Sequence, residues 1–239
     1  MKKIFSLALV ACIFNSAVAQ NDVIVDPNAE VRPLNGSFNS IKVSGGMDIY
    51  LSQSDKEAVA VSASEDKFAK RIITTIENGV LRIKYDEEGL FHVGKNRKLK
   101  AYISFKDINK LDVSGACDIH VSGVISTDNL HLICSGASGF KGNLKVNDLE
   151  VDLSGASDIR VGGTAKTVNI ESSGASDVKA FDLVTDVCTA RASGASDIHI
   201  TVNKELNAHA SGASSITYGG EGMIKDIHSS GASSVTRKS

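Results

Sequence analysis

The six residues "SGASDI" at positions 154–159 return almost unchanged along the second half of this chain. Aligned on the opening serine, the copies begin at Ser114, Ser135, Ser154, Ser173, Ser193, Ser211 and Ser230. The steps between neighbouring copies are 18 to 21 residues long, and three of the six are 19 residues. Self-similarity at so regular a period indicates a repeat architecture.

The residues on both sides of each phrase alternate between apolar and polar. Before Ser154 the chain reads "LEVDL", and after it the apolar Ile159 is followed by the polar Arg160. Alternation with a period of two predicts strands with one buried face. A unit of this length is too short for a propeller blade or a helix pair, which need roughly 33 to 45 residues. The sequence therefore predicts an all-β chain folded as a parallel β-solenoid, with one coil of about 19 residues per repeat.

Residues 31–110 carry a looser version of the same pattern. The stretch "FNSIKVSGGMDIYL" at 38–51 aligns as an eighth copy of the phrase. Glu77, Asn78 and Gly79 separate two alternating apolar runs, and Asn-Gly at such a place favours a type I′ hairpin. We expect antiparallel strands and a hairpin in 31–110 that close one end of the regular coils of 111–239. The C-terminal end shows no comparable cap.

The N-terminal segment has the features of a cleaved signal peptide. Residues 1–19 contain two lysines, an apolar run from Ile4 to Phe14, and Ala17-Val18-Ala19 before the predicted cleavage point. The alternative is a lipoprotein signal in which Cys12 becomes the lipidated first residue. No long apolar stretch follows, so we expect a single domain at 20–239 with no transmembrane segment, exported to the periplasm, the cell surface or the medium.

Charge and cysteine content narrow the function classes. The full chain has a formal charge of −2, and removal of Lys2 and Lys3 with the signal peptide makes this −4. Nucleic-acid binding needs a concentrated basic surface, so it is not expected. Cys117, Cys134 and Cys188 remain after processing, and their spacing matches no zinc motif. We expect them to be small buried side chains.

These motifs together resemble a known family. The segment "FNSIKVSGGMDIYLSQ", the following "VAVSASEDKFAKRIITTIENGVLRIKY" and the "SGASDI" coils are similar to the head GIN domain of auto-transporter adhesins, over residues 31–236. The resemblance implies a right-handed parallel β-helix in an exported bacterial protein, and an adhesin-like role. No catalytic residues are attached to the family, so none is carried over.

The fourth residue of several phrases, counted after the opening serine, is aspartate. In successive coils Asp158, Asp177 and Asp197 should form one column at the inter-strand spacing of ~4.8 Å, where like charges repel. Three explanations remain open. Each aspartate accepts hydrogen bonds from its own turn, with the neighbouring serine as a further donor, or Ca²⁺ bridges the carboxylates, or the column recognises a ligand directly.

The residue six positions after the opening serine forms a second column, and this column is basic. It contains His120, Lys141, Arg160, Lys179 and His199. Such a stripe is suited to an acidic glycan or another protein of the envelope or the host, although an ordinary solvated face has the same composition. The remaining histidines, including His131 and His209, have unrelated neighbours in the sequence and are interpreted as isolated surface residues.

Three function classes follow from these columns. Two carboxylates about 5 Å apart fit a retaining glycosidase, so an enzyme acting on polysaccharides is one alternative. A catalytic site is single and irregular, however, whereas this column repeats with identical neighbours. End-to-end assembly through the last coil is a structural alternative. The sequence favours a non-enzymatic binding protein with no cofactor, and Ca²⁺ is the only ion we consider for the column.

Overall fold

The structure, a computed structural model, describes residues 26–87 and 97–238. The predicted signal peptide and Cys12 lie outside these residues. As predicted, the chain is an all-β parallel solenoid, with 66% strand and 2% helix and about 7 turns that are about 19 residues apart. No helix among the described residues is long and apolar enough to cross a membrane.

Each regular coil is one long, bent strand between two "SGAS" corners. Five such strands stack in sequence order and in parallel register: β9 (Asp118–Cys134), β10 (Gly139–Leu153), β11 (Asp158–Ser172), β12 (Asp177–Ala192) and β13 (Asp197–Ala210). The sequence pattern predicts two short strands per repeat, joined at Ser-Gly-Ala-Ser and followed by an unpaired polar connection such as "GGTAKT" at 162–167. This is wrong in detail, because Gly163 and Thr164 in that connection also pair with the coils on either side.

The glycine of each corner is required by two constraints. Gly155 has a φ of 78°, in the left-handed region that favours glycine. Its corner also stacks closely on the one before, since the Ala156 amide donates to the Gly136 carbonyl at 2.7 Å. A Cβ at Gly155 would overlap that same carbonyl oxygen. Equivalent contacts join the corner glycines from coil to coil, which explains why every phrase contains one.

The serine of each corner, and not the alanine, points into the lumen. Ala156 is exposed, whereas Ser157 is fully buried. The Ser157 hydroxyl donates to the Ser154 carbonyl at 2.9 Å, so its polar group is satisfied inside the corner. The same inward position is occupied by a column of buried serines: Ser138, Ser157, Ser176, Ser196 and Ser214.

Apolar columns fill the rest of the lumen. The residue after the corner aspartate position is buried in six successive coils: Ile119, Phe140, Ile159, Val178, Ile198 and Ile216. Cys117, Cys134 and Cys188 are free and buried, as expected, and Cys117 holds the inward corner position that serine occupies in later coils. Burial raises the pKa of Cys134 and of Cys188 to about 12, so both stay protonated and packed as small apolar groups.

The N-terminal segment continues the solenoid before closing it. The eighth copy forms β2 (Ser40–Ser44) and β3 (Asp48–Gln53), and these pair in parallel with β8 (Lys110–Val113) and β9. The predicted hairpin is also present, since β5 (Ile72–Glu77) and β6 (Val80–Tyr85) are antiparallel. The φ values of 51° at Asn78 and 76° at Gly79 suit a type I′ turn.

Antiparallel pairing is confined to the outer strands of this end. Strands β6 and β7 (Lys100–Phe105) still pair in parallel with β2 and β3. Beyond them, β4 (Ala58–Ser62) is antiparallel to β7, and β1 (Glu30–Arg32) is antiparallel to β4. One short helix, α1 (Asp66–Ala69), follows β4. Because β4 and β1 are paired in the antiparallel direction beyond β7, these strands close the N-terminal end of the solenoid.

The last coil has no such closure among the described residues. It consists of β14 (Ser215–Gly219), β15 (Met223–Ser229) and β16 (Ser234–Arg237), where β15 pairs only with β13 and β16 only with β14. Ile224 and Ile227 align with the buried Leu206 and Ala208, yet they are 42% and 41% exposed. The final rung thus presents lumen residues and an open strand edge.

Candidate functional site

The outward side chains of the first strand segment after each corner form what we call the aspartate face. The residue register places Asp158 opposite Asp177, and Asp177 opposite Asp197. The predicted column therefore exists in the fold. It continues towards the N-terminus to Asp118, with Gly139 interposed, and then to Asp48.

Side-chain partners, rather than turn capping, offset the repulsion in this column. Asp177 binds Lys179 at 2.5 Å, and the Ser215 hydroxyl donates to Asp197 at 2.5 Å. Among the described residues, no backbone N–H donates to Asp158, Asp177 or Asp197. The corner serines donate to corner carbonyls and not to these carboxylates. The capping interpretation is therefore wrong for these coils.

The ion pair fixes the charge of the lysine. The hydrogen bond with Asp177 is the largest cause that raises the pKa of Lys179, and the charges of Asp177 and Asp158 add to it. Lys179 thus stays cationic next to two carboxylates. A Ca²⁺ ion at this point of the column would have to displace it, and the calcium interpretation stays an untested prediction.

Two polar atoms of the aspartate face are buried without a hydrogen-bond partner. They are Oδ1 of Asp177 and Nδ1 of His199, on adjacent coils. An unsatisfied buried polar atom costs about 1–3 kcal/mol. Because both atoms are inaccessible to solvent, a bound polar group would reach them only after the side chains rotate.

The predicted basic stripe is also continuous in space. Lys141, Arg160, Lys179 and His199 are consecutive partners in the register of β10 to β13. Lys141 and Arg160 form no ion pair within residues 26–87 and 97–238, in contrast to Lys179. Their charges are therefore directed to solvent.

Aromatic side chains extend the stripe towards the N-terminal end. His120 lies next to Lys141 in the register, Tyr50 next to His120, and Tyr102 next to Tyr50. The rings stack, with centroids 5.2 Å apart for Tyr50 and Tyr102 and 5.3 Å apart for Tyr50 and His120. This extension was not predicted from the sequence. Tyr50 was predictable, because it lies six positions after the opening serine of the eighth copy, but Tyr102 lies outside the repeat.

The outer tyrosine is held in place by a buried hydrogen bond. The Tyr102 hydroxyl donates to Asp26 at 2.7 Å, and Ser62 donates to the same carboxylate oxygen at 2.7 Å. Desolvation raises the pKa of Asp26, but the bonds from Ser62, Tyr102 and the Asn28 amide outweigh it and lower the pKa overall. Desolvation and the Asp26 contact raise the pKa of Tyr102 far above its usual range. The ring is therefore a fixed, neutral element of the face.

An aromatic group also flanks the other end of the stripe. Phe181 lies where the register of β12 shifts, and its ring centroid is 5.1 Å from that of His199. The Lys238 ammonium sits 4.0 Å from the Phe181 centroid, a cation–π contact. The four basic rungs are thus bounded by aromatic groups on both sides.

The outward side chains that precede each corner, which include His131, Glu150, Asp152 and His209, form what we call the histidine face. The interpretation of His131 as an isolated surface residue is wrong. Its Nε2 lies 2.7 Å from Asp152 and its Nδ1 lies 3.8 Å from Glu150. His209 is likewise 3.3 Å from Asp226. Glu150 is in the same column as His131, whereas the His131–Asp152 and His209–Asp226 contacts join different columns, which a comparison within one column cannot reveal.

Two grooves in the described part of the chain lie away from the predicted aspartate column. One is lined by Lys106, Lys145, Lys166 and Asp186 and the other by Asp152, Arg191 and His209. Neither includes Asp158, Asp177 or Asp197. The glycosidase alternative stays an untested prediction.

Comparison with known structures supports the fold. A structure from Bacteroides fragilis described as a "putative adhesin" superposes with a TM-score of 0.82 at 23% identity, covering 88% of this chain and 96% of that one. A "putative lipid binding protein" from Parabacteroides distasonis gives 0.67 at 19% identity, covering 89% and 97%. A "putative adhesin" from Parabacteroides merdae gives 0.62 at 16% identity, with the same coverage. At these identities the likeness shows the fold alone.

Sequence comparison identifies the family. No curated protein matches this chain at a significant level. The family described as "Putative auto-transporter adhesin, head GIN domain" matches residues 37–222, which include the eighth copy, the hairpin and six of the seven regular phrases. The resemblance drawn from the sequence is confirmed, and this chain belongs to the auto-transporter adhesin head GIN domain family.

Proposed function

We propose that this chain is an exported, non-enzymatic binding protein of the bacterial envelope whose aspartate face binds an acidic glycan. The observation that carries the proposal is the register of Lys141, Arg160, Lys179 and His199, which places one basic group on each of four consecutive rungs. The family and the fold support an adhesin-like role.

The spacing of the stripe suits an extended polymer. Rungs are ~4.8 Å apart, so a chain that lies along the solenoid axis meets basic groups at regular intervals. Lys141 and Arg160 are not neutralised by ion pairs in the described residues, and Arg binds carboxylate or sulfate through two parallel hydrogen bonds. A polyanion with repeating carboxylate or sulfate groups fits this pattern better than a compact ligand.

The aspartate column gives the same face a second recognition element. Carboxylates accept hydrogen bonds from sugar hydroxyls, and Asp158 has no protein donor among the described residues. A face with basic and acidic columns side by side would distinguish a hydroxyl-rich acidic glycan from a simple polyphosphate.

A glycan array tests the proposal directly. Labelled protein is applied to uronic-acid, sulfated and neutral oligosaccharides of equal length. We expect binding to the acidic members, loss in Lys141→Ala/Arg160→Ala, and retention in Lys110→Ala/Arg191→Ala. The second variant removes the same charge from the histidine face. Equal binding of neutral oligosaccharides, or equal loss in both variants, would contradict the proposal, as would no binding by the wild type.

End-to-end assembly is a second candidate function, favoured by one observation. Met223, Ile224 and Ile227 of the last rung are 64%, 42% and 41% exposed, next to an unpaired strand edge. An apolar open edge is a template for pairing with another strand. The occupant we propose is the last rung of a second copy of this chain.

A further inference from the structure

We propose that His131, Glu150 and Asp152 on the histidine face form a binding site for a transition-metal ion of the Zn²⁺ class. One ligand atom from each residue lies within 4.8 Å of the other two. His131 comes from β9, whereas Glu150 and Asp152 come from β10, so the site joins two coils. It lies away from the basic stripe, and it does not depend on the proposed glycan binding.

The backbone holds the three residues on one side of the sheet. His131 and Glu150 are direct partners in the parallel register, and Asp152 follows Glu150 by two residues on the same face. Residues at this spacing point in the same direction, because side chains alternate along a strand. The solenoid therefore fixes the arrangement through its ladder of hydrogen bonds, and only side-chain rotation is left to adjust.

The distances fit a metal after small rotations. Zn²⁺ binds imidazole nitrogen and carboxylate oxygen at 2.0–2.2 Å, so ligand atoms in a tetrahedral site are roughly 3.4 Å apart. His131 Nε2 and Asp152 Oδ2 are now 2.7 Å apart and would separate slightly. Glu150, whose side chain is 54% exposed, is free to swing inward.

The donor set selects the type of ion. One imidazole with two carboxylates suits Zn²⁺ and neighbouring transition metals, whereas Ca²⁺ prefers a cage of oxygens. Three protein ligands leave at least one coordination position for water. The side chains of His131 and Asp152 are 26% and 39% exposed, so an ion reaches them from solvent.

Neighbouring charges act on a bound cation in both directions, since Lys110 would repel it and Glu171 would attract it. Lys110 and Asn169 are the register partners on either side of His131 and Glu150, and Glu171 is next to Asp152. Arg191 lies 3.6 Å from Glu171, which neutralises part of that charge. The alternative is that His131 only makes polar contacts with Asp152 and Glu150, and this alternative predicts no metal binding.

Calorimetric titration of the untagged protein with Zn²⁺ tests the site. We expect one ion per chain, at least tenfold weaker binding in His131→Gln and in Glu150→Gln, and unchanged binding in His209→Gln. The last variant is a matched control, since His209 also contacts an aspartate of the next coil on the same face. Circular dichroism of each variant verifies that it is folded, and the exposed Glu150 makes its substitution the safer of the two.

Thermal unfolding supplies a second measurement. An ion shared by β9 and β10 binds the folded state only, so Zn²⁺ near 100 times its Kd should raise Tm by about 5 °C, and Ca²⁺ should not. The increase should disappear in Glu150→Gln. The proposal is overturned if the wild type binds no Zn²⁺, if His131→Gln and Glu150→Gln bind it as the wild type does, or if His209→Gln loses the same affinity.

Discussion

Single residues at the corner decide whether the coils stack. Gly155 must adopt a positive φ and must also leave room for the carbonyl of the corner before it. Ser196 is fully buried, and its hydroxyl accepts a hydrogen bond from the Ser193 amide and shares its one proton between the Ser172 and Ser193 carbonyls. The phrase "SGAS" thus combines a backbone requirement with a buried polar requirement.

Substitution of a corner glycine should be strongly destabilising. We expect Gly155→Ala to lower the free energy of unfolding by at least about 2 kcal/mol, from left-handed backbone strain and from overlap with Gly136. Gly219→Ala is the control, because its Cβ would make only an ordinary 3.5 Å contact with Thr201. Denaturant titration measures both. Equal stability of the two variants would show that the corner is not constrained in this way.

Removal of the inward hydroxyl should also destabilise the protein. Ser196→Ala leaves the Ser193 carbonyl without its side-chain donor, whereas the Ser193 amide and the Ser172 carbonyl remain bonded to each other, so we expect a cost of about 1 kcal/mol. Ser193→Ala, in the same corner, removes a hydroxyl that makes no hydrogen bond among the described residues and should change stability by less than about 0.5 kcal/mol. Denaturant titration measures both variants, and a midpoint for Ser196→Ala that is not below that of Ser193→Ala would contradict this role of the hydroxyl.

The coil is the unit of this fold, and its period is visible in the sequence. Alternation around Ser154 correctly placed Leu149, Val151 and Ile159 in the lumen. The direction of the corner was not predictable from polarity, because Ser157 is buried through a local hydrogen bond and Ala156 is exposed. The continuous pairing through residues 162–167 was missed as well, since a polar segment at the rim of a solenoid pairs by its backbone alone.

The candidate sites depend on contacts between coils, and the sequence shows these only in part. The Asp158 and Arg160 columns were found because each repeats at one position of the phrase. Tyr102 was missed because it lies outside the phrase. Asp152 was missed because it lies in a different column from His131, and Glu150 because its column does not repeat one residue type. Knowledge of the register was needed to bring Glu150 and Asp152 next to His131.

Deletion of one whole coil should leave a shorter solenoid that still folds. Removal of residues 155–173 joins Ser154 to Gly174 and restores a complete phrase, and the new neighbours keep the same lumen columns. Because each coil contacts only its neighbours, we expect a folded, cooperatively unfolding protein of reduced stability. Removal of residues 155–164 disrupts the register and should abolish folding. Circular dichroism during thermal unfolding distinguishes the two deletions. Equal loss of folded structure in both would contradict the interpretation that the coil is the structural unit.

The two ends of the molecule differ, and this difference has a consequence for assembly. Antiparallel strands close the N-terminal end, whereas the last described rung exposes Ile224 and Ile227 from the lumen columns. Closed and open ends on one solenoid favour pairing of two copies through their open ends.

Sedimentation velocity over a range of concentrations tests that pairing. We expect reversible dimer formation by the wild type and a monomer for Ile224→Lys/Ile227→Lys, because two charges at the open edge repel and lose apolar contact. Val124→Lys, at an exposed position in the middle of the solenoid, is the matched control and should dimerise as the wild type does. A wild type that stays monomeric at the highest concentration reached rules the assembly out.

The central claim for the whole molecule is that the basic stripe binds an acidic glycan. The most direct measurement is the Kd of a uronic-acid hexasaccharide for the wild type and for Lys141→Ala/Arg160→Ala, at low and high salt. We predict that the variant binds at least tenfold more weakly, and that wild-type affinity falls as salt rises, because exposed charges are screened. Equal Kd values for the two proteins, or a wild-type Kd that does not change with salt, would contradict the claim.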